Sequence, residues 1–438
     1  MAYTIKDILS LEVAPALGCT EPSAVALATA AARSLLPDGE IDSVEIWVDP
    51  NIYKNAMAVT IPGARGGQGI DLAAALGALG GDPALKLEVL KPVDDSILKK
   101  AREFVQARKV KINLLPQNKG LFIRTQVSRG DSRASATVEE VHDNIKILSL
   151  DEKPVKDHPL LSGIARKQNS VHALEEWLSG LSLETLVSFL DDLDEEDMAF
   201  LQQGVDTNLA LARHGLTYGP GLGVGQTLER LVREGLLKKD MLTAAKILTS
   251  AAADARMAGV KMPAMSSGGS GNHGLTAILP IWAVKDYLSD TDQNTILKAI
   301  ALSHVITAYV KAHTGRLSAV CGCSIAAGAG AAGSLTFLMG GNLHHIAGAI
   351  KNLIGDLAGV ICDGAKAGCA LKLATAAGTA VRAALFALHG LDVKATDGIV
   401  ADTPEQTMKN VGRLSTQGMI ETDQTILNIM IAKQFQNV

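Results

Sequence analysis

"SLDEKPVKDHPLL", residues 149–161, divides the chain into two textures. It is charged and carries two prolines, so it reads as a linker. Before it, from about 42 to 150, short β-branched runs alternate with helical patterns. "VEIWV", "AMAVTI", "VKINLL", "LFIRTQV" and "ASATVEEV" read as strands. "GIDLAAALGAL" and "DSILKKAREFVQAR" read as helices. After it, strand texture largely vanishes. Segments 175–190, 195–214, 226–257, 293–312, 324–338, 344–361 and 370–389 carry helical periodicity. The expectation is an α+β fold, in which a mixed α+β domain (37–150) packs against a larger all-α domain (160–438).

"TEPSAVALATAAARSLL" (20–36) reads as a helix, with Thr20 at the N-cap and Glu21 and Pro22 in its first turn. Residues 1–36 are expected to pack on the large domain, so that Cys19 faces its site. "DDLDEEDMAF" (191–200) reads as a solvated helix start whose acids suit the dipole, not as a metal site.

With 438 residues the chain can build two cores without staples. The formal net charge is −5 and the pI about 6.1, and no extended basic face stands out. Aromatic residues make up 3%. Nucleic acid is therefore not an expected partner. The N-terminal stretch has acids and no long apolar block, so no signal peptide is expected. The uncharged run Leu317–Ile350 is long enough to span a membrane. It is rich in Gly, Ala and Ser and holds His344 and His345, which reads as a buried helix pair instead. Five cysteines without a secretion signal imply reduced thiols and a cytoplasmic setting.

"GSGNHG" (269–274) and "GAGAAG" (328–333) fit the dinucleotide pattern G-x-G-x-x-G, but neither follows a clear strand, so NAD is not expected. "SSGGSGNHG" (266–274) has another use. Its backbone amides, with Ser267, Ser270, Asn272 and His273, precede an apolar segment and could bind a carboxylate; a plain helix connection is the alternative. In "GCTEP" (18–22), Cys19 stands at a helix start, where the dipole lowers a thiol's pKa; a small buried cysteine is the alternative.

The other four cysteines lie in "SAVCGC" and "ICDGAKAGC". Cys321 and Cys323 would diverge by about 200° on a helix. Cys362 and Cys369 would stand roughly 10 Å apart along one. Asp363-Gly364 and Gly368 can break that helix and bring the sulfurs together. Three close thiolates suit an iron–sulfur cluster better than zinc, and C-x2-C knuckles are absent. Four buried structural thiols remain the alternative.

"EVAPALGCTEPSAVALA", "NIYKNAMAVTIPG", "DARMAG", "SSGGSGNHG", "SAVCGC" and "ICDGAKAGCALK" together resemble the L-cysteine desulfidase family, which is related to the α chain of bacterial iron–sulfur L-serine dehydratases. The resemblance runs over nearly the whole chain. It implies a lyase that converts L-cysteine to hydrogen sulfide, ammonia and pyruvate, using a [4Fe-4S] cluster held by three cysteines with one iron open. Cys362 and Cys369 match two ligands, and the third is Cys321 or Cys323, with Cys321 preferred. Cys19 matches a proposed catalytic base, with His273 and Asn272 as further catalytic candidates. Ser267, Ser270, Asn51, Lys54 and Asn55 are the expected holders of substrate carboxylate and amine. The expected partner is a small amino-acid substrate, with no membrane, in a homodimer. L-Serine as substrate, or a non-enzymatic protein with redox-sensing thiols, are the competing readings.

Overall fold

The computed structural model describes residues 3–118, 120–161, 164–289, 291–315 and 319–436. Leu317 and Ser318, at the head of the uncharged run, lie outside them. Eight strands are described: β1 (Pro15–Leu17), β2 (Ser43–Val48), β3 (Val110–Leu114), β4 (Phe122–Arg129), β5 (Ser132–Glu139), β6 (Ile145–Leu150), β7 (Lys153–Pro154) and β8 (Pro263–Met265). Six form one sheet in the order β3-β2-β4-β5-β6-β7. The β2–β3 pair is parallel, and its crossover is supplied by the helices between them. The other pairs in this sheet are antiparallel.

Alternation explains the buried face. Val44, Ile46 and Val48 of β2 stand opposite Val127, Thr125 and Ile123 of β4, and the latter three opposite Ala134, Ala136 and Val138 of β5. All nine are buried; helices Thr20–Arg33 and Ile70–Gly80 pack on this sheet, and Asp95–Gln106 packs on Ile70–Gly80.

The larger core is helical. Helix Gln293–Thr314 is buried along most of its length, and Gly322–Leu338 packs beside it. Helices Glu195–Tyr218, Met241–Met257, Gly271–Val284, Leu343–Leu357 and Cys369–Leu388 complete the body of this core. The architecture is the expected α+β unit against a larger helical one. Small residues set the spacing: a Cβ on Gly215 would lie 1.9 Å from the Ala251 carbonyl oxygen. Two helices, Gln293–Thr314 and Cys369–Leu388, are long and apolar enough to cross a membrane, yet most of each is buried inside the protein. The uncharged run forms two shorter helices split at 339–342. The acidic stretch behaves as expected, with Asp194 as N-cap and Glu195, Glu196 and Asp197 in the first turn.

Several expectations need correction. Helix Thr20–Arg33 packs in the α+β core, not the large one; it is helix Ile5–Glu12 that buries Ile5, Ile8 and Leu9 in the large core. The Ala-rich 20–33 helix is buried on every side, so it suits the middle of a sheet-and-helix layer. "AMAVTI" is not a strand. Asp49 caps a helix that begins at Pro50 and runs to Ala56, and only Thr60 beyond it forms a bridge, to Gln68. β6 and β7 were not foreseen, and they take up part of the 149–161 linker. Segment 226–257 is two helices, Val224–Arg233 and Met241–Met257, and 344–361 ends as a helix at Leu357.

The two cores are stitched together near residue 15. β1 pairs antiparallel with β8, Pro15 opposite Met265 and Ala16 opposite Ala264. The Ala14 carbonyl accepts from the Ser266 N–H and Oγ, and the Glu12 carbonyl from the Gly268 N–H. The chain thus passes from the large core to the α+β core between Val13 and Ala24, alongside the 266–274 loop. Gly215→Ala should lower stability by about 1–3 kcal/mol, because the methyl must displace a helix backbone. Urea unfolding followed by circular dichroism measures this; an unchanged midpoint would show that the helices are free to separate.

Candidate active site

Gly18 adopts φ +69°, and a Cβ there would lie 2.0 Å from Pro62 Cγ. The turn needs glycine on both counts. Cys19 follows in extended backbone as the N-cap of helix Thr20–Arg33, so Thr20 is the first helical residue rather than the cap. Cys19 is buried. Its thiol donates to Glu21 Oε2 at 3.1 Å, and Thr20 Oγ1 donates to the same oxygen at 3.2 Å. The expected lowering of its pKa does not occur. Burial first, then the Glu21 carboxylate, push it well up, against an opposing pull from Arg256. Desolvation is the leading cause, and its direction favours the thiol form of Cys19.

The 319–323 and 360–362 segments are knitted to each other. Val320 and Ile361 form an antiparallel bridge, the Cys321 N–H donates to the Val360 carbonyl at 2.9 Å and the Cys362 N–H to that of Ala319 at 2.6 Å. Cys321 is the extended N-cap of helix Gly322–Leu338, so the helical divergence expected for Cys321 and Cys323 does not apply. The Cys323 thiol and Ser324 Oγ both donate to Cys321 Sγ, the latter at 3.4 Å. These donors, the Cys323 thiol foremost, bring Cys321 down to about 6, while the same pairing pushes Cys323 well up. Burial raises Cys362, against the pull of Lys54, and raises Cys369 to about 11.

The break between Cys362 and Cys369 comes as read. Gly364 sits at φ +89°, where a Cβ would lie 2.4 Å from the Lys54 carbonyl oxygen, and Cys369 opens the next helix. Asp363 pairs with both Lys366 and Lys372, and Lys372 Nζ also donates to the Ile361 carbonyl at 2.8 Å. Cys369 packs against the small apolar cluster of Cys19, Val59 and Met257.

The outcome is that all five cysteines of the chain line one cavity of about 100 Å³. Among the described residues no three His, Cys, Asp or Glu side chains converge as a site for a single metal ion requires.

The 266–274 loop divides. Ser270, Asn272 and His273 line the cavity, with Ser270 as N-cap of helix Gly271–Val284. Ser267 does not; it is buried and shares a 2.9 Å hydrogen bond with His304 Nδ1. Burial lowers His304 to about 4, so that ring is neutral near pH 7. The "NIYKN" helix divides too. Asn55 lines the thiol cavity, whereas Asn51 and Lys54 line a separate cavity of about 420 Å³, where buried Lys54 pairs with Asp423. A helix spreads neighbouring side chains around its axis, so consecutive polar residues cannot all face one site.

Arg256 went unassigned from the sequence. It is buried in helix Met241–Met257 and lines the cavity. Its Nη1 donates to Asn272 Oδ1 at 2.8 Å and its Nη2 to the Gly18 carbonyl at 2.6 Å. A Cβ on Gly271 would lie 2.4 Å from its Nε, so the loop's glycine lets the guanidinium approach. The signal was present: a lone Arg in "AAADARMAG" is costly to bury without a task. Glu21, His142, Lys311 and Lys372 also line the cavity and were not singled out as site residues.

Comparison with known proteins shows the family. A model of the serine dehydratase alpha chain matches residues 86–428. A UPF0597 protein of Desulfatibacillum aliphaticivorans is 60% identical over 99% of both chains. One from Desulforapulum autotrophicum is 56% identical, covering 99% of this chain and 98% of its own. One from Clostridioides difficile is 42% identical, covering 97% and 98%.

Arg256→Met should strand two buried acceptors at a cost of about 1–3 kcal/mol each. The expected result is a lower urea midpoint together with faster alkylation of Cys19, read by peptide mass spectrometry, as the Gly18 turn loosens. Unchanged alkylation would mean that Arg256 does not hold the turn.

Proposed function

Because the chain belongs to the serine dehydratase α-chain family, we propose that it is an iron–sulfur-dependent lyase catalysing β-elimination of L-cysteine to hydrogen sulfide, ammonia and pyruvate. The observation that carries this reading is the gathering of all five cysteines on one cavity. Such a donor set suits a [4Fe-4S] cluster, whose ligands each meet a different iron and need not close on one point. Cys362, Cys369 and Cys321 would hold it. Cys321 is preferred over Cys323 because two donors already converge on its sulfur. Bound there, the cluster supplies an open iron, a Lewis acid and soft partner for the leaving sulfur.

The chain's own residues do the rest. Ser270 and Asn272, with the first amides of helix Gly271–Val284, face the cavity and suit the substrate carboxylate. Arg256 fixes Asn272 and the Gly18 turn together, so both walls keep their spacing. Cys19 is the residue we assign to the Cα proton. It rests protonated, so its base form arises only when substrate changes the charge around it. His273, buried on the same wall with Nε2 against Gly322, is the next candidate for that proton. The product 2-aminoacrylate hydrolyses in water without help. The setting we propose is cytoplasmic and homodimeric. The family match favours a second reading in which L-serine is the substrate and hydroxide leaves.

Anaerobic reconstitution followed by sulfide and pyruvate assays on L-cysteine and L-serine decides between the two substrates; no pyruvate from either rejects the lyase. Cys321→Ser, Cys362→Ser and Cys369→Ser should each lose most iron and all turnover, while Cys323→Ser should keep iron. Full iron in any of the first three removes that residue from the ligand set.

Cys19→Ser should keep iron and fold but lose turnover, since a serine hydroxyl is too weak a base near neutral pH. Turnover within tenfold of the parent, a loss of only about 1.4 kcal/mol, would move the role to His273.

A further inference from the structure

The cavity's charges are unequal. Among the described residues that line it, Arg256, Lys311 and Lys372 are cations, and Glu21 is the one carboxylate. Lys372 is paired to Asp363, and Arg256 bonds Asn272 and the Gly18 carbonyl. Glu21 is buried, yet the donors on its Oε2 are neutral, the Cys19 thiol and the Thr20 hydroxyl. On the other side, Oε1 has His142 Nε2 at 4.0 Å, beyond hydrogen-bond reach. Glu21 stands in the first turn of helix Thr20–Arg33, where the dipole favours an anion. Two neutral donors leave most of a buried carboxylate's charge unbalanced. A cation arriving in this cavity has one carboxylate to meet among the described residues, and it is the neighbour of Cys19.

We propose that Glu21 is the specificity-determining partner of the substrate α-ammonium. This rests on the reading of the cavity as an amino-acid lyase site. The ammonium docks at Oε1, on the side of His142, while Oε2 keeps its bond to Thr20 and stays beside Cys19. The carboxylate then points to the opposite wall of Ser270 and Asn272. A zwitterion meets complementary charge at both ends, whereas a carboxylic acid lacking the amine leaves Glu21 unsatisfied and is rejected. Holding the ammonium two residues from Cys19 also brings the adjacent Cα–H beside the thiol.

The test titrates L-alanine and propionate into the anaerobic holoenzyme by calorimetry. L-Alanine has no leaving group and so reports binding alone. The parent protein should bind L-alanine in clear preference to propionate. Glu21→Gln should weaken L-alanine about 10- to 100-fold and abolish that preference, while Glu21→Asp, which keeps the charge, should retain part of it. L-Alanine bound by Glu21→Gln as tightly as by the parent overturns the proposal. Equal weakening of L-alanine and propionate in Glu21→Gln also overturns it, since that marks general damage; a normal melting temperature in Glu21→Asp guards the comparison. Turnover of L-cysteine and L-serine by the parent is the separate arm. If both fail while the alanine preference and its loss are seen, the lyase reading falls and the role of Glu21 stands. If the parent binds no amino acid, both fall.

Discussion

One buried cation holds the site together. Arg256 reaches from helix Met241–Met257 to the Gly18 carbonyl on one side and to Asn272 on the other. Gly18 belongs to the turn that leads into the α+β core, and Asn272 lies in the first turn of a helix of the large core. A guanidinium is suited to this work because its planar fork offers several donors at fixed angles. Burying it is costly unless those donors are used. The bonds made by Nη1 and Nη2 therefore favour this meeting of the two cores, although the buried Nε has no hydrogen-bond partner among the described residues.

The remaining supports are backbone contacts made close by small residues. Gly271 admits the guanidinium, Gly322 admits the His273 ring, and Gly364 lets the cysteine loop lie on the Lys54 carbonyl. A methyl group at any of the three would meet a heavy atom within 2.5 Å. The abundance of Gly and Ala in this half is thus more than a means of packing helices. It places the cysteine-bearing segments within one side chain's reach of each other.

Electrostatics sets Cys321 apart from the other four thiols. Cys19 faces a carboxylate and is kept protonated, whereas Cys321 gathers donors and leans toward thiolate. Lys54 and Lys372 add positive charge around Cys362 and Cys321. In the lyase we propose, Cys321 is a cluster ligand and Cys19 the proton acceptor, and unlike surroundings let the two thiols ionise separately. The carboxylate beside Cys19 is Glu21, placed there by the first turn of helix Thr20–Arg33.

Periodicity and composition alone determined the α+β class, the switch from strands to helices near residue 150 and the breaks that frame Cys362 and Cys369. These are local properties: alternation, helix phase, and the conformational freedom of Gly364 are written in neighbouring residues. Tertiary structure decided which core receives helix Thr20–Arg33, because an all-round apolar Ala-rich helix fits either. It decided that Ser267, Asn51 and Lys54 face away from the thiol cavity, since nearby polar residues in the chain can point in unrelated directions once the backbone turns. It decided, too, that Cys19 is a thiol and that Arg256 and Glu21 belong to the site. Burial and long-range charge set both, and neither exists until residues 18, 256 and 272 are brought together.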